Sequence, residues 1–218
     1  MKIALIGASG FVGSAILNEA ISRGHHVTAI VRDVSKVTAH PQVTAVAVDA
    51  QNPQALAEVL KGHDRVISAY NPGWTTPDIY DQYLKGANAI VAAAKAANSW
   101  LLVVGGAGSL EVAPGVQLVD TPEFPAEWKQ GALAARDGLT ALRRETTLDW
   151  RFVSPPVFLE PGEKRGGYRI GGDQVLFSGE QPAGITAGDL ADGVLNEVEK
   201  PAHQRQRFTL GYREPAGG

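Results

Sequence analysis

Apolar residues along this chain alternate between short unbroken runs and stretches of helical period, and the two kinds of segment follow each other in regular order. Residues 3–6, Ile-Ala-Leu-Ile, form the first run. A strand buried on both faces reads this way. Val12, Ile16, Leu17 and Ala20 then recur at helix spacing, and Gly24 stands at the C-cap position. Residues 27–31 and 43–48 are the next two runs. Pro53 suits a first helical position after Gln51 or Asn52 as cap. Ala55, Leu56, Val59 and Leu60 form the inward stripe of that helix, and Gly62 stops it. Residues 65–69 predict a fourth strand and 100–104 a fifth. Between them 78–98 predicts a long helix with Ile79, Tyr83, Ala87, Ile90, Val91 and Ala94 inward. This alternation predicts an α/β fold, a doubly wound parallel sheet (Rossmann fold) with right-handed crossovers and helices on both faces.

The rhythm breaks over 110–125, where Pro114, Pro122 and Pro125 and the lack of an apolar period argue against a regular element. That segment follows the fifth strand, so it is expected to close over an acceptor pocket as a lid. The alternative is a static loop pinned by its aromatics. Residues 127–145 predict a helix and 150–153 a sixth strand, ended by Pro155-Pro156. The glycine-rich stretch 160–179 holds two strand-like pieces, 168–170 and 174–177. Thr186 and Gly188-Asp189 open a last helix over 190–198, 207–210 is a final strand, and 214–218 reads as a frayed tail. No repeat or linker is visible, so one domain over 1–218 is expected, with a small C-terminal region on the substrate side.

The first run leads straight into Gly7-Ala8-Ser9-Gly10-Phe11-Val12-Gly13, and a helical pattern opens on those glycines. Strand, glycine turn and helix together make a dinucleotide fingerprint credible. Gly7 allows the tight turn, Gly10 lets the backbone approach a pyrophosphate, and Gly13 brings helix and strand close. The helix N-terminus offers free N–H groups and a positive dipole end. The spacing is G-x-x-G-x-x-G rather than the commoner G-x-G-x-x-G; without a ligand it would be an ordinary βα turn.

Composition narrows the partners. The formal net charge is −3 with no basic block, so neither nucleic acid nor an anionic membrane is an expected partner. The absence of Cys excludes disulfides, thiolate metal sites and Cys nucleophiles, and fits a cytoplasmic location. The five His residues lack metal spacing, so no metal is expected. No apolar run approaches the roughly 20 residues of a membrane span. The chain opens on a strand, so no signal peptide is expected.

Candidate site residues cluster after strand ends. Arg32 follows the second strand, where such folds read the adenosine ribose; an Arg there accommodates a 2′-phosphate, so NADP(H) is expected over NAD(H). Lys36 is a weaker second phosphate partner, and Asp33 would cap the next turn. Asp49, followed by Ala50, accepts from an adenine amino group or merely forms a turn. Ala69 and Tyr70 end the fourth strand, where a small residue lets a cofactor pass and Tyr70 is alternatively a rim aromatic. Gly105, Gly106 and Ala107 leave room for a nicotinamide ribose. Trp74, Phe124, Trp128 and Phe158 are candidates to stack a planar acceptor, or else belong to the core.

With these residues in view, the chain resembles the atypical short-chain dehydrogenase/reductases, and within them the group named NADH-flavin reductases. Biliverdin-IXβ/flavin reductases and NmrA-like proteins are more distant. The resemblance spans nearly the whole chain. It rests on the glycine fingerprint, Val31-Arg-Asp33, Val104-Gly-Gly-Ala-Gly-Ser-Leu-Glu111, Ser154-Pro-Pro156 and Gly171-Gly-Asp173. It implies NADP(H) use, a Ser154-Pro155 backbone bordering the nicotinamide, and Ser109 near where typical members carry a catalytic Ser. Ser109 is equally read as a turn hydroxyl. Typical members also use Tyr-x-x-x-Lys, in which a Lys lowers the Tyr pKa. Here Tyr70, Tyr80, Tyr83, Tyr168 and Tyr212 all lack a Lys four residues on. Hydride transfer to a flavin needs no protein acid, so the expected activity is an NADPH-dependent reductase of a flavin, quinone or similar planar acceptor. The flavin would be substrate rather than prosthetic group, and the protein a monomer or homodimer. Two rivals are a non-catalytic NADP(H)-binding regulator or redox sensor and an epimerase or dehydratase with an unrecognised acid/base.

Overall fold

The computed structural model describes Met1–Arg213; the tail expected at 214–218 lies outside the described residues. Strand β1 (Lys2–Ile6) is followed by α1 (Phe11–Ser22), β2 (His26–Val31), β3 (Val43–Ala47), α2 (Pro53–Leu60), β4 (Arg65–Ser68), α3 (Ile79–Ala96) and β5 (Trp100–Val104). Next come β6 (Glu111–Ala113), β7 (Val116–Gln117), α4 (Ala126–Arg143), β8 (Asp149–Ser154), β9 (Phe158–Glu160) and β10 (Tyr168–Gly171). The chain continues through β11 (Phe177–Ser178), β12 (Gln181–Pro182), β13 (Gly184–Thr186), α5 (Ala187–Glu199) and β14 (Arg207–Tyr212).

The main sheet has eight strands in the order β10-β14-β8-β5-β4-β1-β2-β3. All its pairings are parallel except that of β10 with β14. Order runs outward from β1 in both directions, which puts the switch point between β1 and β4. Ile3, Leu5, Val27 and Ala29 bury one face with Ile16 of α1 and Leu190, Val194 and Val198 of α5. Ala4, Ile6, Ile30 and Val66 bury the other with Leu56 of α2, Ile90 of α3 and Leu139 of α4. Both faces are thus covered, as the unbroken apolar runs require.

Three local expectations are corrected. Residues 110–125 are not irregular throughout: β6 and β7 pair antiparallel around Pro114-Gly115, with Gly115 at φ +75°. Leu110 and Val119 are buried and hold this hairpin down. Residues 174–177 do not form one strand; Gln174 makes an isolated bridge to Glu111, and β11 starts at Phe177. In α2 the fully buried side is Leu56, Ala57 and Leu60, with Ala55 and Val59 half-buried. Asn52, not Gln51, caps it, its side chain accepting from the Ala55 N–H at 3.2 Å.

Candidate nucleotide and acceptor site

The turn after β1 is built around Gly7, at φ +78°, whose N–H donates to the Ile30 carbonyl at 3.0 Å. A Cβ on Gly7 would lie 2.6 Å from the Ala69 carbonyl oxygen, and one on Gly13 only 1.9 Å from the Gly7 carbonyl oxygen. The fold itself therefore demands those two glycines. Gly10 is different: a Cβ there would meet only the Gly7 oxygen, at 3.6 Å. Helix α1 starts at this point with no side chain capping it. The N–H groups of Phe11, Val12 and Gly13 lie in its first turn, where no intrahelical acceptor exists. An open, uncapped helix N-terminus over a bare backbone fits a pyrophosphate. Around it Ala8 is buried, Val12 half-buried, and Ser9 and Phe11 exposed.

Arg32 stands exposed just past β2, and among the described residues it has no ion-pair or hydrogen-bond partner. Asp33 turns away to cap the next turn, accepting from Ser35 Oγ at 2.6 Å and the Ser35 N–H at 3.0 Å. These hydrogen bonds hold its carboxyl below the usual range. Both bonds end on Asp33 Oδ1. Lys36 is exposed on the same turn. Asp49 forms the turn into α2, its Oδ1 accepting from the Gln51 N–H at 2.9 Å; Ala50 beside it is buried.

Past β4, Ala69 donates to the Ile6 carbonyl at 2.9 Å and its backbone lies against Gly7. Tyr70 presents its backbone beside Gly7. Its ring fills a slot that Gly86 opens in α3, where a Cβ would lie 2.2 Å from the ring, and its hydroxyl donates to the Gln82 carbonyl at 3.1 Å. Past β5, the Phe152 ring occupies the space of a Gly105 Cβ, at 1.8 Å, while Gly106 and Ala107 are half-buried.

Ser109 lies below the surface beside Arg207. It is buried, its Oγ accepting from Arg207 Nη1 at 2.8 Å. The same Nη1 donates to Ser154 Oγ at 3.1 Å. Ser154 and Pro155 are buried at the end of β8, so only backbone there can border a ligand. Arg207 also holds Asp173, Nε to Oδ1 at 2.9 Å. Burial pushes the Arg207 pKa down and Asp173 draws it back up. Arg207 escaped the sequence reading, although three motifs singled out there, through Ser109, Ser154 and Asp173, end on it. A lone Arg opening a strand carries no local signal; the pairing of distant motifs was the only clue.

The aromatic candidates sit on segments leaving the carboxyl edge of the sheet. Trp74, Trp128 and Phe158 are 54%, 48% and 48% exposed, and Phe11 at the start of α1 is 51% exposed. Phe124 is half-buried. The Trp74 ring lies on α4 over Gly131, where a Cβ would come within 2.5 Å. Exposure rules out a core role for Trp128. Trp128→Ala is expected to shift stability by less than about 1 kcal/mol, since it opens no core cavity, and to slow acceptor turnover severalfold. Thermal melts beside steady-state kinetics check this; an early melt with normal turnover per folded molecule would contradict it.

Every tyrosine whose hydroxyl has a described partner donates it within the protein: Tyr70 to Gln82, Tyr80 to Asp137, Tyr168 to Asp192 at 2.6 Å and Tyr212 to Asp189. Tyr83 is buried, and desolvation pushes its pKa up to about 12. Among the described residues, no helix is long and apolar enough to cross a membrane.

A family described as NAD(P)H-binding matches residues 7–201. The Bacillus subtilis protein YwnB, itself uncharacterised, is 40% identical over 215 residues, 96% of this chain and 98% of YwnB. A Bacteroides thetaiotaomicron structure provisionally named an epimerase is 41% identical at a TM-score of 0.91, covering 98% of this chain and 97% of that one. A Streptococcus pneumoniae structure provisionally named an NADH-flavin reductase is 38% identical at a TM-score of 0.87, over 97% and 99%. Glycine fingerprint, uncapped helix and sheet order agree with these likenesses, and the chain belongs to the NAD(P)H-binding family of Rossmann-fold proteins.

Proposed function

We propose that this protein is an NADPH-dependent reductase that passes hydride to a planar acceptor, a flavin or a quinone. The observation that carries this reading is the set of exposed aromatic planes, Phe11, Trp74, Trp128 and Phe158, along the edge that holds the open fingerprint. Bound NADPH would supply the hydride. The chain's part is to hold two rings in contact and keep water out, which alone accounts for a large share of a rate enhancement. No protein acid is needed, and the engaged tyrosines offer none. An epimerase or dehydratase does need one, and it would have to come from a residue other than these tyrosines. The name of the Streptococcus neighbour supports the reductase reading. Flavin enters as substrate, since the site opens at the surface. Steady-state oxidation of NADPH with FMN, FAD and menadione tests the proposal; no turnover with any of them overturns it.

The phosphate preference follows from Arg32. Among the described residues its guanidinium is unpaired, while Asp33 Oδ1 accepts from Ser35. Arg32→Ala is expected to weaken NADPH by an order of magnitude or more, about 1.5–3 kcal/mol for a lost charge-assisted pair, and to leave NADH nearly unchanged. Fluorescence titration of both cofactors reads this directly. Equal affinity of the wild type for the two would sink the preference.

A further inference from the structure

We propose that Arg207 is a positioning residue for hydride transfer: its buried guanidinium locks the backbone after β5 and the end of β8 into one wall for the nicotinamide ring. The proposal rests on the reductase reading. Three pieces of chain far apart in sequence meet on this one side chain. Nη1 donates to Ser109 Oγ at 2.8 Å and Ser154 Oγ at 3.1 Å. Nη2 donates to the Ser109 carbonyl at 3.1 Å and the Asp173 carbonyl at 3.3 Å. Nε donates to Asp173 Oδ1 at 2.9 Å. A planar fork with fixed donor directions sets the relative placement of its partners in a way a flexible ammonium does not.

The clamp is doubled at Asp173. Arg143, the last residue of α4, donates to the same Oδ1 at 2.9 Å. The Asp173 carbonyl accepts from the Glu111 N–H, and the Glu111 carbonyl from the Val175 N–H, both at 2.9 Å. The Gly171-Gly-Asp173 turn is thereby laced to the loop that starts at Gly105. The Arg207 side chain is 2% exposed, and both serines are buried. Each of these groups is engaged within the protein and acts through the backbone it holds. Dinucleotides lie across the carboxyl ends of the strands, so the wall formed by Gly105–Ala107 and Ser154–Pro155 faces the reacting half of the cofactor. Affinity is provided elsewhere, at the fingerprint and Arg32. Loosening the wall should therefore misplace the ring without releasing the cofactor, and a misplacement of about 1 Å costs on the order of 10²-fold in rate.

Arg207→Lys keeps the charge and loses the fork. Three readouts apply: amide hydrogen exchange over 106–111 and 173–175 without cofactor, NADPH affinity by fluorescence, and kcat with menadione. The expected result is exchange faster by about tenfold or more, NADPH affinity within about threefold, and kcat lower by about tenfold or more with the acceptor KM little changed. Wild-type exchange overturns the proposal. So does faster exchange with full kcat per folded molecule, which leaves Arg207 a purely structural residue. If Arg207→Lys does not fold, Ser109→Ala removes one acceptor of the fork and is read in the same way, wild-type values again overturning it. A wild type that turns over no acceptor defeats the reductase reading separately. The Arg207 proposal is then decided by whether NADPH slows exchange at 106–111 in the wild type and fails to do so in Arg207→Lys.

Discussion

A Gly10→Asp protein is expected to melt no lower than wild type and to bind NADPH weaker by roughly two orders of magnitude. Both halves follow from the same few atoms. Gly10 sits at φ −76°, ψ 177°, open to any residue, and a Cβ there meets only the Gly7 oxygen at 3.6 Å. It is the N-cap of α1, and no side chain caps the helix. Asp is among the best N-cap residues, worth a few tenths of a kcal/mol over Gly. Its carboxylate would take the N–H groups of the first turn and sit favourably at the positive end of the dipole. A pyrophosphate needs those same groups. Bringing a like charge against it costs several kcal/mol, and each 1.4 kcal/mol is about tenfold in affinity. Melting curves and NADPH titration on one preparation separate the two effects. Unchanged affinity in a folded variant would remove the fingerprint argument. Gly13→Ala makes the contrast: a Cβ 1.9 Å from the Gly7 oxygen must push α1 off the sheet, so stability falls along with binding.

The largest stability loss is expected from Asp189→Ala. Asp189 is fully buried, and its carboxylate has no Lys or Arg partner among the described residues. Hydrogen bonds hold it instead. The Arg165 and Gly166 N–H groups donate at 2.9 and 3.0 Å, Thr186 Oγ1 at 3.4 Å, and the Tyr212 hydroxyl closes the set. It lies in the first turn of α5, where the helix dipole favours an anion. Desolvation, and then this hydrogen bond to Asp189, raise the Tyr212 pKa. Truncation would leave the buried Tyr212 hydroxyl without its acceptor, at about 1–3 kcal/mol, would empty the space of a buried side chain, and would release the Arg165 and Gly166 N–H groups that tie down the preceding loop. A total loss of about 3–5 kcal/mol is expected, or roughly 6–20 °C in melting temperature for a chain of this length. Asp189→Asn keeps part of the acceptor set and should lose about half as much. Urea unfolding measures both. A wild-type midpoint for Asp189→Ala would show that something else anchors the chain around Arg165.

The parts of the fold set by local rules were legible in the chain. Unbroken apolar runs marked the inner strands because a sheet covered on both faces buries most of their side chains; the edge strand β3 reads the same way but is largely exposed. Asn52, Pro53 and Gly62 bounded α2 because capping and backbone freedom act within a few residues. The fingerprint was legible for the same reason: a φ of +78° at Gly7 and a contact between Gly13 and Gly7 are local demands. The hairpin at Pro114-Gly115 was missed because its turn chemistry lies between strands too short to show a period, and buried Leu110 and Val119 hold it from outside.

Tertiary structure decided which of the candidate side chains can reach a ligand. The sequence put Ser109 and Tyr70 at strand ends, but only the fold shows Ser109 taken by Arg207 and Tyr70 laid into the slot over Gly86. It also separates Gly10, which no contact in the protein requires, from Gly7 and Gly13, which the backbone requires. Periodicity and caps describe what a segment does with its own neighbours. Arg207 meets Ser109 across 98 positions. Contacts of that reach arise because the strand order β14-β8-β5 lays distant segments side by side, and no local pattern encodes that order.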